Sequence, residues 1–187
     1  MKFNPGIHRR RSVRLKGWDY ASRGAYFVTV CAHGRECAFG EVRSGRVALN
    51  EAGRVVESAW NDLPRHYPRA GLDAFVVMPN HVHGILVIGK GSYVGADFKS
   101  APTDMKPMRR HPLSEIVRAF KAFSTRRINL LRQTPGHPLW QRNYYEHIIR
   151  GEDELNPARE YVLHNPLKWA EDENYPGNVK RNKQVGT

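Results

Sequence analysis

The strongest constraint on the fold is the order in which strand-like and helix-like segments follow one another. Residues 25–32 (AYFVTVCA) are rich in aromatic and β-branched residues, which is typical of a strand. Apolar residues at 52, 55, 56, 59, 60 and 63 then recur at helical spacing, and Asn50 is in place to cap this helix. Two strands are predicted next, at about 73–78 and 81–88, separated by a Pro79-Asn80 turn.

The second half of the chain repeats this alternation. Ser114 is in place to cap a second helix, and the apolar face of that helix consists of Ile116, Val117, Phe120, Phe123 and Leu131. A fourth strand is predicted at 140–149, and Asn156-Pro157 is expected to open a last helix, with Asn as cap and Pro in the first turn. The order βαββαβ plus a C-terminal helix predicts an α+β, ferredoxin-like split-βαβ fold with an antiparallel sheet. A small hairpin is predicted at 41–49 (EVRSGRVAL).

One domain is expected, because 187 residues are enough to bury a single core. We place this domain at residues 25–170, between a basic N-terminal arm at 1–24 and a C-terminal tail at 171–187. The stretch from Gly89 to Pro112 is rich in Gly, Pro, Lys and Arg and has little periodicity. We therefore expect a mobile loop at about residues 89–112.

The charge of the chain points to a polyanionic partner. Thirty Lys and Arg against 18 Asp and Glu leave a net charge of +12, with a pI near 10.0. No apolar run approaches the roughly 18 residues of a membrane span and no basic amphipathic helix stands out, so nucleic acid is favoured over a membrane. The basic start has no apolar stretch behind it and predicts no secretory signal. Cys31 and Cys37 form no disulfide framework, which suits a reducing cytosol.

Two histidines lie one residue apart in MPNHVHGILVI, residues 78–88. In a strand, side chains at i and i+2 share a face, so His81 and His83 are expected side by side while Val82 packs on the other face. Two adjacent imidazoles make half of a metal site. The alternative is a pair of ordinary surface histidines on an exposed sheet face.

The last predicted helix carries residues that could complete such a site. In EYVLHNPLKW, Tyr161 and Asn165 are four apart and share one helix face. Pro166 disfavours further helix, which leaves the Asn165 amide oxygen free to coordinate. An oxygen ligand added to two imidazoles suits Mg²⁺ or Mn²⁺ better than a structural zinc, for which Cys is expected. The alternative is that Tyr161 is a half-buried core aromatic and Asn165 a helix stop.

Four motifs occur in order along the chain: RRSVRLKGWDY with GAYFVTV, MPNHVHG, PLWQRNYYEHIIR and YVLHNP. With them the chain, from about Arg11 to Trp169, resembles the REP-associated tyrosine transposases, relatives of the single-tyrosine transposases of bacterial insertion sequences in the HUH nuclease group. The resemblance implies that residues 25–170 form a catalytic domain with His81 and His83 as the HUH pair, Tyr161 as nucleophile and Asn165 as third metal ligand. It also implies single-stranded or hairpin DNA with short palindromic repeats as partner, a monomer, and a bacterial cytoplasmic, nucleoid-associated location.

This chemistry needs no nucleotide cofactor. A tyrosine that attacks a DNA phosphodiester forms a phosphotyrosine and releases a 3′ hydroxyl, which keeps the bond energy in a covalent intermediate. A bound Mg²⁺ or Mn²⁺ would act as Lewis acid on the scissile phosphate. Tyr144 and Tyr145 are rival nucleophiles, but no oxygen ligand lies one helical turn away, so packing or base stacking is expected of them.

Basic residues provide candidate DNA contacts in two places. The arm contributes Arg9, Arg10, Arg11, Arg14 and Lys16, and the second long helix contributes Arg118, Lys121, Arg126 and Arg127. Two other functions stay open. A metal-dependent hydrolase that activates water would need no tyrosine, and a binding-only repressor would need neither tyrosine nor metal.

Overall fold

The computed structural model describes residue 15 and residues 17–89 and 109–178. The basic residues predicted for the arm, Arg9, Arg10, Arg11, Arg14 and Lys16, lie outside these ranges. So do residues 90–108, most of the predicted loop.

A four-stranded antiparallel sheet forms the centre of the fold. Its strands are β1 (Gly24–Cys31), β4 (Ala70–Val77), β5 (His81–Ile88) and β6 (Tyr145–Ile149), in the spatial order β4-β5-β1-β6. Along the chain, the inner strands β1 and β5 are each followed by an edge strand, β4 and β6, as the split-βαβ plan requires. The predicted α+β, ferredoxin-like fold is confirmed.

The remaining elements pack around this sheet. They are the hairpin β2 (Gly40–Arg43) and β3 (Arg46–Leu49), the helices α1 (Glu51–Asn61), α2 (Leu63–His66), α3 (Leu113–Arg132) and α4 (Glu152–His164), and the 3₁₀ turns His33–Arg35 and Asn165–Glu171. The predicted cap of α1 is confirmed, since the Asn50 side chain accepts a hydrogen bond of 2.9 Å from the Gly53 N–H. None of the helices in the described ranges is long and apolar enough to span a membrane.

The two faces of the sheet bury different layers. Val28, Val30, Val82 and Leu86 join the apolar faces of α1 and α3 in the larger core cluster. Phe27 and Ile85 alternate with them along the strands and pack with Leu155, Ala158 and Val162 of α4. His81 and His83 share the odd-numbered side of β5 with Ile85 and therefore face the α4 layer.

Gly84 allows a large aromatic pair to lie against β5. A Cβ at this position would come within 2.9 Å of Phe75 Cδ2 and closer still to the Trp60 ring. Those two rings stack with centroids 4.5 Å apart and an interplanar angle of 8°. The absence of a side chain at Gly84 is therefore a packing requirement on the face opposite the histidines.

Helix α3 differs from its prediction at both ends. It begins at Leu113, whose N–H donates to Tyr20 O at 3.0 Å, so Ser114 is not the cap as predicted. Leu131 was assigned to the apolar face, but its side chain is 43% exposed and the buried position is Ile128. Phe123 is half-buried, with its ring against His66.

The last strand and the last helix also have different bounds from those predicted. β6 begins at Tyr145 and not at Trp140. Trp140 pairs with Ala32 in a single isolated bridge, and its ring is buried in the core. α4 begins at Glu152, so Pro157 lies in its interior and Asn156 is not its cap. The acidic residues 152–154 stabilise that earlier start because they lie at the positive end of the helix dipole.

Candidate metal and nucleophile site

The two histidines of β5 meet at the end of the sheet. His81 is fully buried and His83 is 2% exposed, so the alternative of surface histidines on an exposed sheet face is wrong. Their Nε2 atoms lie 2.9 Å apart, with ring centroids separated by 4.4 Å. Both rings are buried beneath α4 and the turn that follows it, and their Nε2 atoms face each other.

Each ring is held through its other nitrogen. His81 Nδ1 lies 2.8 Å from Asn80 Oδ1, and His83 Nδ1 lies 2.8 Å from Thr29 Oγ1. Thr29 is the partner of His83 in the β1–β5 ladder, so strand register places its hydroxyl there. Such partners orient imidazoles in metal sites and fix which nitrogen is free.

Asp172 is a member of the cluster that sequence reasoning missed. Its Oδ2 lies 3.8 Å from His81 Nε2 and 3.9 Å from His83 Nε2. The carboxylate is 8% exposed, and its Oδ1 accepts a hydrogen bond of 2.6 Å from the Asn174 N–H. Asp172 belongs to the segment 171–187 that we expected to be a tail, and no motif or periodicity marks it in the sequence.

Tyr161 reaches the same point from α4. Its hydroxyl oxygen lies 3.5 Å from His83 Nε2. The ring makes edge contacts with His83 and Phe27, at centroid distances of 5.1 and 5.8 Å. The structure therefore brings together the predicted nucleophile and the predicted histidine pair.

Asn165 is also in the site, but it contacts the carboxylate. It is 4% exposed, and its Nδ2 donates to Asp172 Oδ2 at 3.1 Å. Its Oδ1 is buried and has no hydrogen-bond partner among the residues that the structure describes. A buried, unpaired amide oxygen beside a carboxylate is a costly arrangement unless a cation or a donor completes it.

The protonation of these groups follows from burial and from mutual charge. Burial and the neighbouring His83 hold the pKa of His81 well below its usual range, although Asp172 opposes this shift. Burial, followed by the charges of Asp172 and Glu173, raises the pKa of Tyr161. Burial also acts to raise the pKa of Asp172, but the histidines and the Asn174 N–H outweigh it and lower that pKa. At neutral pH the site thus holds a neutral His81, an ionised Asp172 and a protonated Tyr161.

The donor set fits a divalent cation. His81, His83 and Asp172 each offer one ligand atom, and these atoms lie within 4.8 Å of one another. Two neutral imidazoles and one carboxylate bind divalent metals in proteins. The unpaired Asn165 Oδ1 supplies a further oxygen donor next to them.

The basic residues predicted on α3 lie in the layer on the other face of the sheet. Arg118 and Arg126 are exposed and form no ion pair within the described part of the chain. Lys121 Nζ donates to the backbone oxygens of Gln141 and Arg142, at 2.6 and 2.9 Å, and so holds that loop. Both terminal nitrogens of Arg127 lie 3.1 Å from Asp62 Oδ2.

The two rival tyrosines occupy different faces. Tyr144 packs against the larger core cluster, away from the histidines. Tyr145 is half-buried on the α4 side, where its ring lies edge-on to Phe27 at 6.3 Å. Tyr161, by contrast, contacts His83 with both its hydroxyl and its ring.

Sequence comparison finds similar proteins in Haemophilus influenzae. An uncharacterized protein of Haemophilus influenzae is 38% identical over 179 residues, which cover 93% of this chain and 97% of that protein. A "Putative REP-associated tyrosine transposase" of the same organism is 23% identical over 151 residues, covering 80% of this chain and 74% of the relative. The chain is related to the REP-associated tyrosine transposases.

A solved structure of that family shares the fold. A REP-associated tyrosine transposase bound to a REP hairpin matches with a TM-score of 0.55 at 20% identity, over 86% of this chain and 76% of the other. No protein-family model matches the chain. The chain also belongs to one family with the uncharacterized Haemophilus protein, which matches over nearly all of its length.

Proposed function

We propose that this protein is a metal-dependent single-strand DNA endonuclease and strand transferase that acts through a covalent bond between DNA and Tyr161. The observation that carries the proposal is the Tyr161 hydroxyl, 3.5 Å from His83 Nε2 at the edge of a buried, metal-capable cluster. The relationship to the REP-associated tyrosine transposases supports DNA processing as the general activity. A hairpin formed by short palindromic repeats is the proposed substrate, since one such relative binds a REP hairpin.

In this proposal, His81, His83 and Asp172 hold a divalent cation, Mg²⁺ or Mn²⁺, and Asn165 offers a further oxygen. A cation held there would polarise the scissile phosphate and offset the Asp172 charge that helps to keep Tyr161 protonated. The Tyr161 oxygen would bond to phosphorus as the bond from phosphorus to the 3′ oxygen breaks, and the one proton that the phenol loses to solvent is balanced by the one that the departing 3′ oxygen takes up to become a hydroxyl. Phe27 holds the Tyr161 ring edge-on, which limits its motion before the attack.

The DNA contacts proposed on α3 belong to a groove. Arg118, Lys121 and Arg126 line it together with apolar side chains, and its volume is about 820 Å³. Because Lys121 holds backbone oxygens of the 141–142 loop, we assign phosphate contacts to Arg118 and Arg126 only. The apolar floor between them suits unpaired bases.

The groove lies at the same end of the sheet as the metal-capable cluster. Trp140 lines the groove and bridges to Ala32. Cys31, the residue before it, is the ladder partner of His81. A strand that passes round this end of the sheet would therefore connect the groove on one face with Tyr161 on the other.

The test is adduct formation by the Tyr161→Phe variant. The wild-type protein is incubated with Mn²⁺ and a single-stranded REP-type hairpin, and the products are run on a denaturing gel. We expect a covalent protein–DNA band that Tyr161→Phe lacks, because the ring without its oxygen cannot attack phosphorus. The variant should still fold, at a cost of about 1 kcal/mol or less, and should still bind the hairpin.

Matched controls are Tyr144→Phe and Tyr145→Phe, which should keep the adduct. An adduct that survives Tyr161→Phe but is lost in one of these controls would move the nucleophile. Cleavage by Tyr161→Phe without any adduct would indicate a hydrolase that uses activated water. Hairpin binding with no cleavage by the wild-type protein would indicate a repressor.

A further inference from the structure

The β2–β3 hairpin contributes none of the described residues that form the candidate site or the α3 groove. It is a two-stranded sheet of its own, separate from the four-stranded sheet. Val42, Val47 and Leu49 are half-buried on its inner face, and Leu49 packs against the larger core cluster. The outer face is exposed and basic at the free end of the hairpin.

The turn at this free end brings two arginines together. Ser44 and Gly45 have positive φ angles of 49° and 71°, as a two-residue type I′ turn requires. Arg43 is directly opposite Arg46 in the ladder. Directly opposed side chains share a face, with Cβ atoms roughly 4.5–5.5 Å apart, and like charges placed in this way destabilise a hairpin. An anion bound between the two guanidiniums would offset that repulsion.

The two guanidiniums are incompletely neutralised by the protein itself. Arg43 Nη2 lies 2.5 Å from Glu41 Oε1, and both side chains are exposed. Arg46 is exposed and forms no ion pair with a residue that the structure describes. Because an exposed ion pair contributes little free energy, a competing anion can displace Glu41. The planar guanidinium group matches the geometry of phosphate oxygens.

Packing fixes this hairpin tip beside the candidate site. A Cβ at Gly45 would clash with Leu167 Cδ2. Leu167 belongs to the 3₁₀ turn Asn165–Glu171 that follows α4. Trp169 of the same turn has its ring centroid 5.9 Å from that of His81. The tip therefore lies at the end of α4 that carries Tyr161.

The residues of the hairpin fit a duplex better than an unpaired strand. Sites for unpaired DNA combine basic side chains with aromatic rings on which the bases stack. Residues 40–49 (GEVRSGRVAL) include no aromatic residue. The bases of a duplex are already stacked on one another, so its backbone needs only the positive charges. A two-stranded ribbon is also narrow enough to enter the major groove.

We propose that Arg43 and Arg46 contact the phosphate backbone of the double-stranded stem in a hairpin DNA. The proposal rests on the proposed function, since that hairpin is the proposed substrate. The stem is held at the tip of the β2–β3 hairpin, and the unpaired segment next to the stem reaches Tyr161. The α3 groove then holds unpaired bases on the other face of the sheet.

The first test compares salt dependence on two DNAs. Fluorescence anisotropy is measured with the full-length protein in excess chelator, with hairpin DNA and with an unstructured strand of the same length. Arg43→Gln with Arg46→Gln should lower the slope of log affinity against log salt on hairpin DNA by about 0.9 for each lost contact. The slope on the unstructured strand should stay at the wild-type value. An unchanged slope on hairpin DNA, or an equal fall on both DNAs, would overturn the proposal.

The matched control is Arg54→Gln with Arg65→Gln, which removes the same charge from exposed positions. Arg54 Nη1 donates to Leu49 O at 2.9 Å, and Arg65 Nη1 lies 3.7 Å from Asp62 Oδ1. This control should keep the wild-type slope on both DNAs. A fall on hairpin DNA as large as that of the tip variant would mean that net charge, and not the tip, is what the DNA detects.

A second test predicts a gain. Glu41→Gln frees Arg43 from its ion pair and should tighten the binding of hairpin DNA about 2-fold or more. Glu57→Gln makes the same change of charge at an exposed position of α1 and should have a smaller effect. No gain for Glu41→Gln, or an equal gain in the two variants, would overturn the assignment of Arg43. A gain cannot arise from loss of folding.

These experiments measure binding and not cleavage, so they separate this proposal from the proposed function. A protein that binds hairpin DNA but never forms an adduct would still show whether Arg43 and Arg46 contact the stem. Conversely, an unchanged slope in the tip variant would overturn the stem contact and leave the adduct test with Tyr161→Phe unaffected.

Discussion

Asp172 is the residue at which a change of one atom should alter the proposed metal site most. Its Oδ2 faces both histidine Nε2 atoms, and its Oδ1 is held by the Asn174 N–H. Asp172→Asn removes the negative charge and keeps the size of the side chain. We expect Mn²⁺ affinity, measured by isothermal titration, to fall at least about 10-fold, because a neutral amide is a weaker ligand in this donor set.

The matched control for this variant is Glu173→Gln. Glu173 is adjacent in sequence but exposed, and its side chain is not one of the metal-capable donors. The control should bind Mn²⁺ within about 2-fold of wild type, since surface charges interact weakly through solvent. Equal losses in the two variants would mean that Asp172 acts through general charge and not as a ligand.

At the scale of elements, β5 can tolerate no side chain at Gly84. A Cβ there would meet the stacked Trp60 and Phe75 rings on the α1 side of the sheet. Gly84→Ala should lower the free energy of unfolding in urea by about 1–3 kcal/mol, because a well-packed core cannot absorb the extra volume. His83 is the adjacent residue on the opposite face, so a shifted β5 would disturb the site as well.

Gly71→Ala, at a glycine in β4, is the matched control for Gly84→Ala. A Cβ at Gly71 would lie 3.7 Å from Val87, which is ordinary contact. This variant should be neutral or slightly stabilising, since alanine reduces the freedom of the unfolded chain. A similar loss in both variants would show that any strand alanine is harmful and that the Trp60 contact is not the cause.

The position of α4 depends on a bidentate pair between Asp73 and Arg159. Arg159 Nε and Nη2 donate to Asp73 Oδ1 and Oδ2 at 2.8 and 2.6 Å, two residues before Tyr161. Hydrogen bonding to Arg159, which outweighs burial, lowers the pKa of Asp73. The pair therefore stabilises the folded state fully above the unfolded carboxyl pKa of about 3.9, and this contribution is lost as pH falls below that value.

Asp73→Asn should remove that contribution. Above pH 5 the variant should be less stable than wild type by about 1 kcal/mol, the upper range for a partly exposed pair, and the difference should shrink towards pH 3. Urea unfolding at several pH values measures it. A difference that stays constant with pH would mean that packing, and not charge, is what Asp73 contributes.

The bulge that carries Asp73 shows what the sequence could and could not predict. Strand β4 was predicted from its apolar pattern, but its register shift between Leu72 and Phe75 was not, because a bulge depends on the partner strand. His81, His83 and Tyr161 were predictable because strand and helix periodicity place them locally. Asp172 was not, since only the 3₁₀ turn after α4 brings it to the histidines. The ends of α3 and α4 were wrong because tertiary hydrogen bonds and first-turn charges outweighed the capping pattern.

At the scale of the whole molecule, the candidate site and the exposed arginines of α3 lie on opposite faces of the sheet. The histidines and Tyr161 lie in the α4 layer, and Arg118 and Arg126 lie on α3 in the opposite layer. With a net charge of +12, the chain should attract DNA over much of its surface. Salt dependence can therefore distinguish residues that contact phosphates from residues that only add to the overall charge.

The last prediction compares a double variant on α3 and a double variant in the basic arm with a single-residue control on α3. Arg118→Gln with Arg126→Gln should lower the slope of log affinity against log salt by about 0.7–0.9 for each lost phosphate contact, as fluorescence anisotropy with hairpin DNA would measure. Arg9→Gln with Arg10→Gln should do the same if the arm contacts the backbone. Arg127→Gln removes one positive charge from the same helix, but Arg127 is paired with Asp62. Its slope should therefore stay at the wild-type value, while the free energy of unfolding falls by up to about 1 kcal/mol. An equal change of slope per charge removed for Arg127→Gln would mean that net charge alone, and not the groove, determines the affinity for DNA.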